Sequence, residues 1–493
     1  MSRRVLVAAG ATAAVGAAAA VGAVARDPHT RQRVTRSARV WRLTARRGAH
    51  WAVVKVRGVA ADEQRKAELE QHFAVRTAED VARELGNMKG AIMKFGQLVS
   101  FIAEGLPPEA QAALATLQAD VPPMAPSLAE GVILTELGAD PEQLFLDWDP
   151  VPVAAASVGQ VHRAVLRDGR VVAVKVQYPG VDRAIKSDLA NAELLYSMFA
   201  SVKLKGLDVK GLVDELRARM GDELDYRIEA ANQAEFARLY RDHPFIRIPE
   251  VVPDLSSTRV ITSEWVDGLT WAEFEASADT AARQKSAEVL FRFAQGSVHR
   301  HGVFNGDPHP GNYRFHPDGS ITFLDFGLVK RWAGSEWERL SPCMDAIVID
   351  QDPERLLDAM VSVGFLPANH GLDAQLVFEY VSSPYVPYLT PTFTFTRQWV
   401  ADTLATIMDV DGPYAPVIRT LNMPPSFVIL DRVVWGVSAL LGKLEARGPW
   451  HGILLEYRRG DSPCTELGRI DADWRAGRLP EHEHHLFPHR RHH

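Results

Sequence analysis

Apolar and polar positions alternate along two short runs near the middle of the chain, residues 161–166 and 171–177. Asp168-Gly169 lies between the runs, and this dipeptide is typical of a tight hairpin turn. The pattern therefore predicts a β-hairpin. A second, shorter hairpin is predicted at residues 312–324, where NYRF and SITFL flank the turn sequence HPDG.

Helical spacing dominates elsewhere, because apolar residues recur every three or four positions with charged residues between them. Proline pairs in LPPEAQ and VPPMAPS indicate breaks between helices. The predicted helical regions are about 62–105, 181–203, 211–241, 271–301 and 332–457. The sequence thus predicts a strand-rich region that begins near residue 150, with helices before and after it.

The N-terminus has a composition of its own. Residues 5–25 carry no charge, and a run of 21 residues is long enough to span a bilayer, although Ala and Gly make it weakly hydrophobic. From Arg26 to Gly58 there are ten Lys or Arg residues against one acid. Positively charged flanks of a membrane span stay on the cytoplasmic side and attract anionic head groups. We therefore expect a single-pass anchor that holds the rest of the chain at the cytoplasmic face of the membrane. A cleaved signal peptide and a soluble protein with an unusual N-terminus are the alternatives.

The composition of the rest is that of a globular protein. A net charge of −7 argues against general nucleic-acid binding. The two cysteines, Cys343 and Cys464, do not make a disulfide framework. A reducing compartment is therefore expected.

The strongest candidate for chemistry is the segment 303–330, VFNGDPHPGNYRFHPDGSITFLDFGLVK. Asp307 precedes Asn312 by five residues, and the tripeptide DFG begins at Asp325 after the predicted hairpin. Phosphoryl transfer needs one carboxylate for the attacking hydroxyl, and an amide and a second carboxylate for magnesium. The hairpin would bring the two acids together.

Lys175 lies within the apolar strand VAVKVQ, where a buried ammonium group requires an anionic partner. The candidate partners are Glu223, Asp225 and Glu229 on a predicted helix. Asp225 and Glu229 are four residues apart and share a helix face. Glu223 lies roughly 120° away from Glu229 around the helix axis, so one helix could serve two cations.

These elements follow one another in the order of a kinase fold: alanine-rich loop, lysine strand, acidic helix, hinge-like SEWVDG, GDPHPGN and DFG. The chain resembles the UbiB/AarF family of atypical kinases, which is associated with coenzyme Q and other isoprenoid quinone metabolism. Lys94, Gly96 and Gln97 resemble the family's K-x-G-Q motif. AAASVGQVH resembles its alanine-rich loop, in which most members have Ala where this chain has Gly159.

The resemblance covers about residues 62–455 and implies an α+β, two-lobed protein-kinase-like fold with an N-terminal helical extension and a mostly helical C-terminal lobe. The expected segments are a hydrophobic segment 1–25, a basic linker 26–61, a helical extension 62–149, an N-terminal lobe 150–266, a C-terminal lobe 267–458 and a His-rich, disordered tail 459–493.

The resemblance also implies roles for individual residues. Asp307 matches the catalytic aspartate, and Asn312 and Asp325 match the magnesium ligands. Lys175 matches the lysine that contacts phosphate, with Glu229 as its ion-pair partner. The other implied nucleotide contacts are Ala154, Ala155, Ala156, Ser157, Glu264 and Val266. Glu223 and Asp225 match an E-x-D motif that is expected to engage the K-x-G-Q segment, which would restrict substrate entry.

The implied activity is that of an atypical kinase or ATPase that binds ATP or ADP with Mg²⁺ and supports quinone or lipid metabolism. No A-P-E segment or long activation loop follows DFG, so a peptide-docking platform is not predicted. An isoprenoid lipid or quinone precursor is the expected partner, and a homodimer is also considered. The alternatives are an aminoglycoside- or choline-kinase-like phosphotransferase and a non-catalytic, nucleotide-dependent scaffold.

The alanines in the loop call for a physical explanation. Glycine lets a backbone adopt positive φ and approach phosphates closely, and alanine restricts both. We therefore expect the loop to hold nucleotide in a geometry that disfavours protein phosphorylation. Gly159 is expected to return some of this freedom.

Overall fold

The computed structural model describes residues 124–156, 158–181, 224–409, 411–422 and 425–477. The described strands are β1 (Asp147–Trp148), β2 (Ala154–Ala156), β3 (Gly159–Val165), β4 (Val171–Gln177), β5 (Ile246–Arg247), β6 (Val260–Glu264), β7 (Val303–Asn305), β8 (Tyr313–Phe315), β9 (Ile321–Phe323), β10 (Val329–Arg331), β11 (Phe393–Thr394) and β12 (Arg447–Gly448). The sheet formed by β1, β2, β3, β4 and β6 makes a small lobe, and the larger lobe is mostly helical.

The described α-helices complete the chain between these strands. They are α1 (Pro126–Leu137), α2 (Pro141–Leu144), α3 (Tyr226–Leu239), α4 (Trp271–Ser277), α5 (Thr280–Gln295), α6 (Glu336–Asp345), α7 (Pro353–Ser362), α8 (Ala374–Ser382), α9 (Arg397–Met408), α10 (Ala415–Thr420), α11 (Pro425–Lys443), α12 (Trp450–Arg458) and α13 (Glu466–Ala476). The predicted α+β fold is confirmed.

The sheet of the smaller lobe is antiparallel, with the order β1-β3-β4-β6 and β2 paired to β3. The first predicted hairpin forms here, and Gly169 in its turn has a φ of 90°, which favours glycine. Along β4 the alternating residues Val172, Val174 and Val176 are buried in a core shared with α1. Because side chains alternate between the two faces of a strand, Lys175 points away from that core.

The second predicted hairpin is also confirmed. β8 and β9 are antiparallel, and β5 adds a parallel strand to β9. A separate two-stranded sheet joins β7 to β10. Since β7 leads to Asp307 and β10 follows the DFG tripeptide, these short strands position both candidate acids.

The predicted helix 271–301 is interrupted. α4 ends at Ser277, and Asp279 begins α5 by accepting a hydrogen bond from the Ala282 N–H at 2.8 Å. A wider helical turn, Gly296–His301, then leads to Gly302, whose φ of 64° redirects the chain into β7. Aspartate competes for backbone N–H groups and therefore favours helix starts over helix interiors.

Aromatic residues fill the core of the larger lobe near the candidate site. Phe293 of α5 stacks on Phe323 of β9 with ring centroids 3.7 Å apart. Phe236 of α3 contacts Phe326, the phenylalanine of DFG, at 4.7 Å. The core thus connects α3, which carries Glu229, to the DFG segment.

One part of the predicted tail is structured, so the expectation of disorder over 459–493 needs correction. Residues 466–476 form α13, and Asp471 on this helix is buried. Asp471 accepts hydrogen bonds from Arg300 at 2.8 Å and from His243 at 3.2 Å. These buried ion pairs attach the helix to the larger lobe.

The predicted single-pass anchor is also corrected. A helix needs about 20 apolar residues to cross a bilayer. Within the described ranges, no helix is long and apolar enough to do so. Residues 1–25 lie outside those ranges. The expectation of a single-pass segment that holds the body at the cytoplasmic face of a membrane is therefore not supported.

Candidate active site

An ion pair joins the central strand of the small sheet to the neighbouring helix. The Lys175 ammonium on β4 donates to both carboxylate oxygens of Glu229 on α3, at 2.8 and 2.9 Å. The two side chains are 17% and 10% exposed. A buried pair keeps its charges only when the geometry is good, and two short bonds meet that condition. The structure thus selects Glu229 as the described partner of Lys175.

The charge on Lys175 is maintained by its surroundings. Burial lowers the pKa of Lys175, but the negative charges of Glu229 and Asp325 raise it more, so the net shift is upward. The ammonium also lies 4.9 Å from the ring centre of Tyr226, at cation–π distance. Lys175 is therefore a fixed positive charge within reach of the field of Asp325.

Asp307 follows β7 in a loop that its own backbone groups organise. The Asp307 N–H donates to the side-chain oxygen of Asn305 at 2.8 Å, and the Asp307 carbonyl accepts from the Asn312 amide at 3.2 Å. Asp307 itself is buried, with 8% of its surface exposed. The loop therefore orients Asp307 and Asn312 relative to each other.

Asn305 links this loop to the DFG segment. Its amide nitrogen donates to the backbone carbonyl of Asp325 at 2.5 Å, while its amide oxygen holds the Asp307 N–H. One side chain thus brings together the backbones of the two predicted acids. The Asp325 carboxylate also accepts a hydrogen bond from the Gly327 N–H at 2.9 Å, which orients it. Asn305 is not among the site residues predicted from the sequence.

Arg432 is a second residue that the sequence analysis missed. It lies on α11 and donates through Nη2 to Oδ1 of Asp307. The Arg432 side chain is 19% exposed and that of Asp307 is 11% exposed. The predicted catalytic carboxylate is therefore bound by an arginine that lies 125 residues later in the chain.

The alanine-rich segment forms a strand. Ala154, Ala155 and Ala156 make up β2, which pairs with β3 through Ala156 opposite Gly159. A β-carbon on Gly159 of β3 would lie 2.2 Å from the carbonyl oxygen of Val176 on the facing strand β4, so only glycine fits where β3 meets β4. Our explanation of Gly159 as a source of flexibility is therefore wrong, because close strand approach requires it.

Buried polar side chains fix the base of this strand pair. Gln160 accepts a hydrogen bond from the Met124 N–H at 2.9 Å and contacts His162 at 2.8 Å. His162 in turn contacts the Asp149 carbonyl at 2.9 Å. Burial lowers the pKa of His162, which favours the neutral ring. These bonds thus connect β3 to Met124, just ahead of α1, and to Asp149, which follows β1.

The remaining predicted residues are spread around the site. Glu264 ends β6 with an exposed side chain, and Val266 follows in a half-buried position. Asp225 caps α3 by accepting from the Arg227 N–H at 3.1 Å, and it pairs with the Arg227 side chain at 2.6 Å. Outside the described ranges lie Lys94, Gly96, Gln97, Ser157 and Glu223. The contact of Glu223 and Asp225 with the K-x-G-Q segment therefore stays a prediction.

The oxygen atoms of Asn312 and Asp325 fit a magnesium ion whose other ligands come from a nucleotide and from water. Because the Asn312 nitrogen donates to the Asp307 carbonyl, the Asn312 oxygen is left as an acceptor. An amide oxygen and the Asp325 carboxylate are ligands that Mg²⁺ prefers, with phosphates and water supplying the others. No group of three or more His, Cys, Asp or Glu side chains suited to a metal occurs in the part of the chain that the structure describes.

Comparisons with known proteins show which family this chain resembles. Residues 116–360 match the family described as ABC1 atypical kinase-like domain. An Arabidopsis thaliana protein named ACTIVITY OF BC1 COMPLEX KINASE 3, chloroplastic, is 35% identical over 75% of this chain and 51% of its own length. An uncharacterized protein of Synechocystis is 31% identical over 59% of this chain and 74% of its own length.

A solved structure is similar over most of the chain. Rv3197 from Mycobacterium tuberculosis, determined as a complex with erythromycin, is 32% identical and has a TM-score of 0.58. The match covers 80% of this chain and 98% of that one. The chain spans 50%, 36% and 51% of the lengths of three curated relatives that it matches.

Proposed function

Because the chain belongs to the UbiB/AarF (ABC1) family of atypical kinases, we propose that it binds ATP or ADP with Mg²⁺ and hydrolyses ATP or transfers its phosphoryl group to a small molecule. The observation that carries this proposal is the ion pair between Lys175 and Glu229. In kinases this pair must be formed for phosphate binding, together with the DFG aspartate on magnesium.

Each side chain has a defined task in this proposal. Lys175 binds phosphate oxygens with the ammonium hydrogen that Glu229 does not use. Asn312 and Asp325 hold Mg²⁺. The metal, when bound, neutralises charge that develops on the phosphate oxygens. Asp307 orients the attacking water or hydroxyl and takes up its proton as the new oxygen–phosphorus bond forms and the bond to the leaving diphosphate breaks.

The alanine strand and the hinge-like segment complete the nucleotide site in this proposal. β2 would cover the phosphates, with Ala155 opposite Gln160 in a fixed register. Glu264 and Val266 would contact the nucleotide from the end of β6. Support comes from the antiparallel pairing of β2, β3 and β4 and from the order of these elements along the chain.

A second candidate function is a non-catalytic, nucleotide-dependent scaffold. The ion pair between Arg432 and Asp307 favours it, because one oxygen of the proposed base is already bound to a cation. A charge-assisted bond of this kind stabilises by about 1.5–3 kcal/mol, which the attacking group would have to overcome. Membership of the ABC1 family favours the atypical kinase over the aminoglycoside- or choline-kinase-like phosphotransferase.

The substrate class rests on the family alone. An isoprenoid lipid or quinone precursor is the proposed acceptor or cargo, in line with the metabolism associated with the family. The domain boundaries, the gating role of the K-x-G-Q segment and a homodimer stay predictions alongside it.

The test uses the full chain and two matched acid-to-amide variants. We expect Mg²⁺-dependent ATP binding and hydrolysis, with Asp325→Asn lowering the hydrolysis rate by about 100-fold or more because a metal ligand is lost. Asp318→Asn, in the exposed turn of the β8–β9 hairpin that precedes Asp325, should leave the rate unchanged. Absence of Mg²⁺-dependent nucleotide binding would refute the proposal. Binding without turnover would favour the scaffold.

A further inference from the structure

The strand that follows DFG reaches back to the helix that carries Glu229. Arg331 on β10 donates through Nη2 to the side-chain oxygen of Asn232 at 2.8 Å. The same Nη2 atom also donates to a carboxylate oxygen of Glu235. Asn232 and Glu235 are both on α3, so a single guanidinium group joins this helix to β10.

Asn232 makes a second bond, to the DFG segment itself. Its amide nitrogen donates to the backbone carbonyl of Phe326 at 3.0 Å, and the residue is 5% exposed. Exchanging the amide oxygen and nitrogen would set the amide N–H group against the donor Arg331 and the amide oxygen against the acceptor carbonyl of Phe326, so the partners fix the amide orientation. Both ends of the side chain are thus used. We call Asn232, Glu235, Phe326 and Arg331 the α3 clasp.

The spacing of these residues explains how one helix contacts three elements. Glu229, Asn232 and Glu235 follow one another at intervals of three, and residues three apart are neighbours on a helix surface. Glu229 holds Lys175 of β4, Asn232 holds the Phe326 carbonyl, and Glu235 holds Arg331. A shift of α3 that broke the clasp would therefore also move Glu229 relative to Lys175.

The other end of the clasp is anchored in the larger lobe. Arg331 lies opposite Val303 in the pairing of β10 with β7. The next residue, Trp332, is buried and donates from its ring to the Val298 carbonyl at 3.2 Å. The Trp332 N–H also donates to the Gly302 carbonyl at 3.0 Å. Arg331 thus projects from a fixed strand.

We infer that Arg331 and Asn232 are positioning residues that keep the Lys175–Glu229 pair and the DFG segment assembled without phosphorylation. In protein kinases, phosphorylation of the activation loop controls this assembly. Here no Ser, Thr or Tyr occurs from Asp325 to Gly334, Ser335 already precedes α6 as its N-cap, and the clasp occupies the place where such a loop would begin. This inference rests on the proposed function, since it concerns how the nucleotide site is held together.

The experiment compares Arg331→Ala, Asn232→Ala and Arg331→Lys with the full wild-type chain. The readouts are kcat, the Kd for Mg–ATP and hydrogen exchange of the amides in residues 226–239. Arg247→Ala is the matched control, because Arg247 is as exposed as Arg331 and forms an ion pair with Asp318 away from the clasp.

We expect Arg331→Ala and Asn232→Ala to lower kcat by about tenfold while the Kd changes by less than about threefold, because misplaced groups slow chemistry more than binding. Exchange in residues 226–239 should become faster. Arg331→Lys should recover part of both effects, because one nitrogen atom serves both acceptors. The control should match wild type.

Two results would overturn the inference: wild-type kcat in both alanine variants, or exchange in residues 226–239 that equals that of the control. If the wild-type chain does not turn over nucleotide, the proposed function fails separately. Hydrogen exchange still decides the clasp in that case. Because Arg331 is half-exposed, its alanine variant tests the clasp even if Asn232→Ala does not fold.

Discussion

Two ion pairs border the candidate site, and they leave different atoms available to a nucleotide. In the first, both carboxylate oxygens of Glu229 bind the Lys175 ammonium, which retains a third N–H. In the second, Arg432 binds one oxygen of Asp307, the acid proposed to act on the attacking group. In the first pair both oxygens of Glu229 are bound, and the Lys175 ammonium remains available to phosphate. In the second pair the bound group is the carboxylate of Asp307, the proposed catalytic aspartate.

The two pairs also join different parts of the fold. Lys175 and Glu229 connect a strand of the smaller lobe to α3, and the valines beside Lys175 are buried. Asp307 and Arg432 connect a loop to α11, a helix much later in the chain. We interpret the first pair as one that assembles the site and the second as one that restrains it. The difference is testable because the pairs should respond to substitution in opposite directions.

Breaking the first pair should have the largest effect on turnover. Glu229→Gln keeps the shape of the side chain but removes the counter-charge that is hydrogen-bonded to the buried Lys175. We expect kcat to fall by about 100-fold or more, as when a charge-stabilising group is lost. The free energy of unfolding should fall by about 3 kcal/mol, measured by urea denaturation.

The control for this prediction is Glu275→Gln, which removes an exposed ion pair with Arg397. Surface pairs of this type contribute about 0–1 kcal/mol, so neither readout should change much. Wild-type turnover in Glu229→Gln would mean that the first pair does not assemble the site.

Breaking the second pair should raise turnover. Arg432→Ala releases Oδ1 of Asp307, so we expect ATP hydrolysis to increase by up to about tenfold, in line with the strength of one charge-assisted bond. Arg432→Lys retains a positive charge on α11 and should stay closer to wild type. A lower rate in Arg432→Ala would show instead that the arginine assists the reaction, and the contrast between the pairs would be lost.

The first pair could be anticipated from sequence and the second could not, for physical reasons. Strand alternation with a central lysine, followed by a helix with acids four apart, is a local pattern that limits the partners of Lys175 to three. The partner of Asp307 lies 125 residues away on a helix with no motif around it. Only tertiary packing brings Arg432 there.

Much of the fold was predictable because short-range chemistry determines it. The turn at Asp168-Gly169 and the turn in HPDG set two hairpins whose registers match their apolar faces. Gly159 shows the limit of such reasoning: its φ is not in the left-handed region, and what requires glycine is the carbonyl of Val176 on the facing strand. A cross-strand distance cannot be deduced from one strand alone.

For α13 the signal was present but went unused. Leu467, Ile470 and Trp474 recur at helical spacing, and Leu467 is buried. The histidines that follow drew the interpretation toward a disordered tail. Charged residues such as Asp471 also look solvent-exposed in a sequence, because nothing local reveals that Arg300 and His243 will surround them.

That third cluster gives the smallest expected effect on turnover and sharpens the contrast between the first two pairs. Asp471→Asn removes a buried carboxylate from Arg300 and should lower the free energy of unfolding by about 3 kcal/mol at pH 7. Because α13 holds none of the proposed site residues, kcat should change by less than about twofold. A large loss of kcat in a folded variant would mean that buried ion pairs in general, and not the pairs at the site, control activity.

The pH dependence of this variant provides a second measurement. Burial raises the pKa of Asp471, but the hydrogen bond from His243 and the charge of Arg300 lower this pKa by more. The pKa of Asp471 therefore lies well below its usual range. A depressed carboxyl pKa contributes stability that is fully present above the unfolded value of about 4 and is lost as the pH falls through the folded value. The stability gap between wild type and Asp471→Asn, measured by urea denaturation, should therefore shrink as the pH falls below about 4. A gap that widens below about pH 4 would contradict the assignment of Asp471 as a buried, ionised partner of Arg300.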